Sequence, residues 1–149
     1  MCKTILLVVE GISTDQAMIE HVKPLAKLLQ SRVILFHVEN GERYGRVRKT
    51  LYPGAADAVE YLRKMYGILQ AAGISAEIAL AYGEPVLEIE KQVQKKACDL
   101  VTMNTQTRKL MSEFFFGTVF ERVQNAIDIP ILVFKNDEAP ERMEADGKQ

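Results

Sequence analysis

The chain has 149 residues, enough for one domain with a continuous hydrophobic core. Hydrophobic residues make up 48% and charged residues 26%, a balance that excludes an intrinsically disordered chain. The formal net charge of −1 provides no attraction to nucleic acid or to an anionic membrane. The apolar run after Lys3 is far too short to span a bilayer. We therefore expect a cytoplasmic protein with neither nucleic-acid nor membrane partners.

The first two elements are a buried strand and an amphipathic helix. Thr4–Val9 is continuously apolar and rich in branched residues, which predicts a strand buried on both faces. Ser13 and Gln16 have the spacing of a capping box, and the apolar spacing that follows predicts a helix to Leu29. Pro24 lies inside this helix, where we expect it to kink or disturb the middle turn.

A second strand and a second helix follow, separated by a polar segment. Val33–Phe36 predicts a strand that ends near Val38. The segment 39–53 is polar and basic. Ala55–Ala72 carries apolar residues on one helical face, and Gly73 stands where a helix-ending glycine belongs.

The remaining elements complete the alternation. Ile74–Ala81 alternates more than the other strands, which predicts a sheet edge. Gly83–Pro85 predicts a turn into a third helix. Asp99–Met103 is the fourth strand, Thr118 opens a fourth helix, and Ile129–Phe134 is the last strand, with proline tolerated near its start.

Five strands that alternate with four helices predict a single α/β domain with a parallel sheet covered on both faces. Ligands of such sheets bind beyond the carboxyl ends of the strands, where the strand order reverses. This rule selects the segments 10–12, 37–39 and 104–118 as candidates for a binding site.

The most specific pattern lies in the last third of the chain. The fourth strand runs into 104–107, nine residues follow, and Gly117-Thr118 then opens a helix before the proline-led last strand. This arrangement resembles the universal stress protein family, which has G-x-x-G, nine residues, and G-[S/T] at these places. Glu10-Gly11-Ile12 stands where that family has Asp-Gly-Ser, and Gly83-Glu84-Pro85 also fits its pattern. The resemblance covers 3–135 nearly without interruption.

The resemblance implies a Rossmann-like, doubly wound domain over 1–135 with strand order 3-2-1-4-5, and a homodimer formed along the last strand. It also implies a nucleotide site, in which the end of the first two strands holds the ribose and adenine and the glycines hold the phosphates. Carried over residue by residue, that site comprises Glu10, Val38, Met103, Asn104, Thr107, Gly117, Thr118 and Val119.

Four residues depart from the family pattern, one of them Ile12 in place of the serine. Glu10 replaces a shorter aspartate, and Asn104 and Thr107 replace the two loop glycines. Asparagine accepts a positive φ more readily than other residues, so Asn104 could keep the turn. Thr107 is β-branched and would place a methyl and a hydroxyl in the space of a phosphate. The sequence therefore predicts a damaged phosphate cradle beside an intact helix start at Gly117 and Thr118.

We therefore expect a stress-response protein that acts by binding and dimerisation, without tight ATP binding and without enzymatic turnover. A competing hypothesis is that the site still binds ATP, another adenine nucleotide or a small anion, with Arg108 or Lys109 supplying charge. A hydrolase or transferase would need a catalytic group that the sequence does not offer, since G-x-S-x-G is absent.

The cysteine, histidine and basic residues elsewhere in the chain predict neither a catalytic site nor a metal site. Cys2 and Cys98 lack metal-site spacing. His37 is expected to hydrogen-bond locally, with no carboxylate placed beside it. The basic residues within Arg43–Lys49 indicate either a solvated loop or a segment that covers an anion bound at the end of the sheet. The charged tail 136–149 is expected to be disordered.

Overall fold

The computed structural model describes residues 2–10, 14–39, 55–104 and 121–134. Its five strands form one parallel sheet in the order β3-β2-β1-β4-β5. The strands are β1 (Thr4–Val8), β2 (Arg32–Glu39), β3 (Ala76–Tyr82), β4 (Leu100–Asn104) and β5 (Ile131–Phe134). The helices are α1 (Thr14–Leu29), α2 (Ala55–Ala71), α3 (Pro85–Lys95) and α4, whose described residues are 121–126. The predicted doubly wound α/β fold and its strand order are confirmed.

The sheet is buried at its centre and partly solvated at its margins, as its sequence pattern predicts. All five residues of β1 are buried, because this strand lies between β2 and β4 with helices on both faces. β3 is an edge strand and none of its residues is fully buried. The alternation along 74–81 therefore did indicate a sheet edge.

Two hydrophobic cores lie on opposite faces of the sheet. Because side chains alternate along a strand, neighbouring residues of β1 enter different cores. Leu6 and Val8 pack with Ile89 of α3 in one core. Ile5 and Leu7 pack with α1 and α2 in the other core.

Three helices end in the same backbone arrangement. After α2, the Ile74 N–H donates to the Leu69 carbonyl at 3.0 Å, and Gly73 has a φ of +78°. This is a Schellman ending with glycine at its left-handed position, as Gly73 predicts. The corresponding residues after α1 and α3 are Gln30, with φ 55°, and Ala97, with φ 52°. Neither was recognisable in the sequence, because neither residue is the glycine or asparagine that usually marks this position.

Two local features differ from the sequence expectations. α1 runs through the exposed Pro24 as one uninterrupted helix. Asn104 is the last residue of β4, paired in register with Phe134, and is not among the residues with positive φ. The strand therefore continues one residue further than its apolar run indicates, and Asn104 does not make a left-handed turn.

The turn into α3 agrees with its sequence. Gly83 has a φ of +147°, a conformation that favours glycine. Glu84 caps the helix by accepting a hydrogen bond from the Leu87 N–H at 3.0 Å, and Pro85 begins the helix. This turn sets Pro85 and Ile89 against the carboxyl ends of the central strands.

Candidate functional site

A pocket opens at the carboxyl end of the sheet, on the face that α3 covers. It has a volume of about 340 Å³, which includes the space at its mouth. The central strands and α3 supply its wall residues, among them Val8, Glu10, Val38, Pro85, Ile89 and Met103. We call it the Glu10 pocket.

Three of the residues that the sequence nominated come together in the Glu10 pocket. Glu10 follows β1, Val38 lies near the end of β2, and Met103 lies near the end of β4. Neighbouring parallel strands end at the same edge, which is why residues so far apart in sequence meet here. Val38 and Met103 are buried and apolar, and they suit the flat face of an aromatic ring. Glu10 is partly buried and supplies a polar group.

Glu10 has an unusual electrostatic environment. Burial raises the pKa of its carboxyl from 4.5 to about 8, and the negative charge of Asp15 adds to this effect. At neutral pH the carboxyl is therefore largely protonated. A neutral carboxylic acid both donates and accepts hydrogen bonds, so Glu10 can pair with hydroxyls or ring nitrogens in an otherwise apolar pocket.

A buried histidine–carboxylate pair lies at the end of β2, where His37 also borders the Glu10 pocket. His37 Nε2 lies 3.1 Å from Glu39 Oε2, and both residues are buried. His37 Nδ1 lies 2.8 Å from the Val9 carbonyl oxygen. The local hydrogen bond predicted for His37 is present, but the expectation that no carboxylate lies beside it was wrong. Residues two apart on a strand share a face, so the spacing of His37 and Glu39 was the missed signal.

A second buried carboxylate, Asp15, lies at the start of α1. Its side chain has no solvent exposure. One carboxylate oxygen accepts the Glu10 N–H at 3.2 Å, and the other accepts the Tyr61 hydroxyl of α2 at 2.8 Å. Sequence reasoning missed this contact, because α1 and α2 meet only through tertiary packing.

Asn104 is buried at the end of β4, with 1% of its surface exposed. By strand alternation its side chain lies on the α1 and α2 face, not in the Glu10 pocket with Met103. The remaining predicted site residues lie outside the described residues: Thr107, Gly117, Thr118 and Val119. The basic segment Arg43–Lys49 and the tail 136–149 lie outside them as well.

The described ranges contain no group of three histidine, cysteine or acidic side chains that could hold a metal ion. Within the same ranges, no helix is both long and apolar enough to cross a membrane.

Comparison with known proteins identifies the family. The family model described as "Universal stress protein family" matches residues 1–135. Universal stress protein MJ0531 of Methanocaldococcus jannaschii is 30% identical over 76 residues, which is 51% of this chain. The match spans 45% of that relative's length, less than half of it.

Solved structures share the fold. A universal stress protein in complex with cAMP superposes with a TM-score of 0.69 at 15% identity, covering 90% of this chain and 97% of that one. The universal stress protein from Archaeoglobus fulgidus in complex with dAMP gives 0.63 at 16% identity, covering 89% and 97%. With the family match over 1–135 and the strand order 3-2-1-4-5, these likenesses lead to one conclusion: the chain belongs to the universal stress protein family.

Proposed function

We propose that this protein is a cytoplasmic stress-response protein that binds an adenosine monophosphate-type ligand in the Glu10 pocket and does not hold ATP tightly. It acts by binding, without enzymatic turnover. The observation that carries the proposal is that Glu10, Val38 and Met103 line one pocket at the end of the sheet.

The pocket's composition supports the base and ribose half of such a ligand. Val38 and Met103 offer buried apolar surface to a planar base, and burial of that base is favourable. Glu10 offers a carboxyl group to the hydroxyls or ring nitrogens of the ligand. Two family members with this fold have been solved with cAMP and with dAMP, each of which carries a single phosphate.

The phosphate half supports weak binding of a triphosphate. Thr107 occupies the position of the second loop glycine, where a Cβ restricts the backbone and narrows the space for phosphate oxygens. Gly117 and Thr118 retain the helix-start pair that favours a single anionic group. The sequence pattern therefore favours binding of one phosphate group over binding of a longer chain of phosphates.

Titration calorimetry with AMP and ATP tests the proposal. We expect both to bind, with ATP no more than about tenfold tighter than AMP, a difference of about 1.4 kcal/mol. Sub-micromolar ATP binding would overturn the weak-ATP assignment. Failure of both nucleotides to bind at millimolar concentration would overturn the nucleotide assignment.

A glycine substitution tests the assignment of Thr107 separately. Thr107→Gly should raise the affinity for ATP more than the affinity for AMP, because the longer phosphate chain gains the released space. Thr105→Gly is the matched control, since it adds the same flexibility at a position where the family pattern does not require glycine. Equal effects of the two substitutions would refute the steric argument.

We propose further that the protein is a homodimer joined along β5. β5 lies at an edge of the described sheet, and 36% of Leu132 is exposed there. An exposed apolar edge strand favours pairing with another copy. Light scattering should give twice the mass of the chain, and Leu132→Lys should shift the mass toward the monomer. A measured mass of one chain for the native protein would refute the homodimer.

A further inference from the structure

Side chains bind both polar groups of the peptide between Val9 and Glu10, its carbonyl oxygen and its N–H. β1 ends at Val8, and the Val9 N–H still donates to the Phe36 carbonyl of β2 at 2.8 Å. Within the described residues, no strand–strand hydrogen bond holds the next peptide group. Its oxygen lies 2.8 Å from His37 Nδ1, and its N–H donates to Asp15 at 3.2 Å. Each polar group of this peptide therefore has a buried side-chain partner.

The histidine side of this arrangement is held at both ring nitrogens. A carbonyl oxygen only accepts, so His37 Nδ1 carries the proton that it shares with Val9. His37 Nε2 lies 3.1 Å from Glu39 Oε2. Glu39 thereby fixes the orientation of the imidazole ring. The pair is well shielded, with 6% of His37 and 4% of Glu39 exposed.

The aspartate side is fixed as firmly. Asp15 is fully buried, and the Tyr61 hydroxyl of α2 donates to its second oxygen at 2.8 Å. Hydrogen bonds to a buried carboxylate are stronger than those between neutral groups. The Asp15–Tyr61 contact joins α1 to α2 and prevents the carboxylate from rotating away from the Glu10 N–H.

The orientation of Glu10 follows from this anchoring. Side chains alternate along a strand, so Glu10 projects to the α3 face while its peptide group is held by Asp15 and His37. Rotation of the Val9–Glu10 peptide would break its hydrogen bonds to His37 and Asp15 and would turn Glu10 out of the pocket.

We propose that Asp15 and His37 are positioning residues for the ligand-binding pocket, which act by fixing the Val9–Glu10 peptide and thereby the direction of the Glu10 side chain. This inference rests on the proposed function, because Glu10 is taken to contact the ligand. It predicts that substitutions at Asp15 affect binding only while Glu10 is present.

A double-mutant cycle with AMP tests the coupling. We expect Asp15→Ala to weaken AMP binding about three- to tenfold, the effect of losing one hydrogen bond. In the Glu10→Ala background the same substitution should change AMP binding by less than about twofold, since two residues that act as one unit are not additive. An equal loss in both backgrounds would overturn the proposal.

Two further variants separate positioning from general destabilisation. Asp15→Asn can still accept the Glu10 N–H and should retain AMP binding within about twofold. Asp99→Ala is the matched control. This aspartate accepts the N–H groups of Lys3 and Thr4 at the opposite end of β1, at 2.8 and 3.0 Å. It should leave AMP affinity unchanged, and a loss as large as that of Asp15→Ala would overturn the proposal.

A measurement without ligand distinguishes failure of this inference from failure of the proposed function. Amide hydrogen exchange at Glu10 should accelerate at least tenfold in Asp15→Ala, but not in Asp99→Ala. If the native protein binds no AMP and exchange still accelerates, the proposed function fails while the anchoring stands. Unchanged exchange in Asp15→Ala would overturn the anchoring itself.

Discussion

Replacing Glu10 by Gln removes an ionisable group from the pocket while nearly preserving its size. Burial and the charge of Asp15 raise the pKa of Glu10 from 4.5 to about 8. The same carboxyl in the unfolded chain ionises near its ordinary value. Between pH 4.5 and 8 the folded protein therefore holds a proton that the unfolded chain has lost. The contribution of Glu10 to stability therefore falls as pH rises through this window, and Glu10→Gln lacks that contribution.

The magnitude follows from the two pKa values of Glu10. Each pH unit between them is worth about 1.36 kcal/mol, so the complete window gives an upper bound of about 5 kcal/mol. Glu10 keeps part of its surface in contact with solvent, which weakens the effect. We expect roughly half of the bound, about 2–3 kcal/mol, to be gained by Glu10→Gln relative to the native protein between pH 5 and 8.

Urea unfolding of both proteins at intervals from pH 5 to 9 measures this difference. Other titrating groups are common to both chains and cancel in the difference, which should rise to pH 8 and then level off. Glu60→Gln, at an exposed glutamate of α2, is the control for the chemical change itself. A difference that stays flat from pH 5 to 8, or that falls, would refute the electrostatic reasoning.

Three further predictions concern stability. Ala97→Gly should stabilise the protein by about 1 kcal/mol, because Ala97 adopts a left-handed conformation. Gly73→Ala should destabilise the protein by a similar amount for the same reason. Thermal unfolding measures both changes, and a change of stability in the same direction for both variants would contradict the argument. The buried Thr102 hydroxyl has no hydrogen-bond partner in the described structure, which destabilises the protein by about 1 kcal/mol. Thr102→Val removes this hydroxyl and should therefore raise the urea midpoint. Glu84→Ala should lower stability by about 1 kcal/mol through loss of the α3 cap, whereas Glu84→Ser should retain most of it; equal losses would refute the capping role.

Much of the fold could be predicted because its signals are local. The continuous apolar run of β1 indicates a strand buried on both faces, and the partly buried alternation of β3 indicates an edge. Gly73 marks the end of α2 because its backbone conformation disfavours other residues. Gln30 and Ala97 carry the same conformation without a signal, since the surrounding hydrogen bonds impose it on residues that do not prefer it.

The site could be predicted only in part. Glu10, Val38 and Met103 were nominated through the family resemblance, and they do line one pocket. The pairing of His37 with Glu39 follows a spacing of two residues along one strand, and that signal was present but overlooked. No local signal could have joined Asp15 to Tyr61, which are 46 residues apart in the sequence.

The sequence by itself determined which segments become strands and helices, where α2 ends and α3 begins, and which residues stand at the carboxyl ends of the strands. Those properties depend on backbone preferences and hydrophobic periodicity, which act over a few neighbours. The tertiary structure decided that Glu10 faces α3 while its peptide group is held by Asp15 and His37. That outcome depends on which helix covers which face of the sheet, and it is fixed only when distant segments pack together.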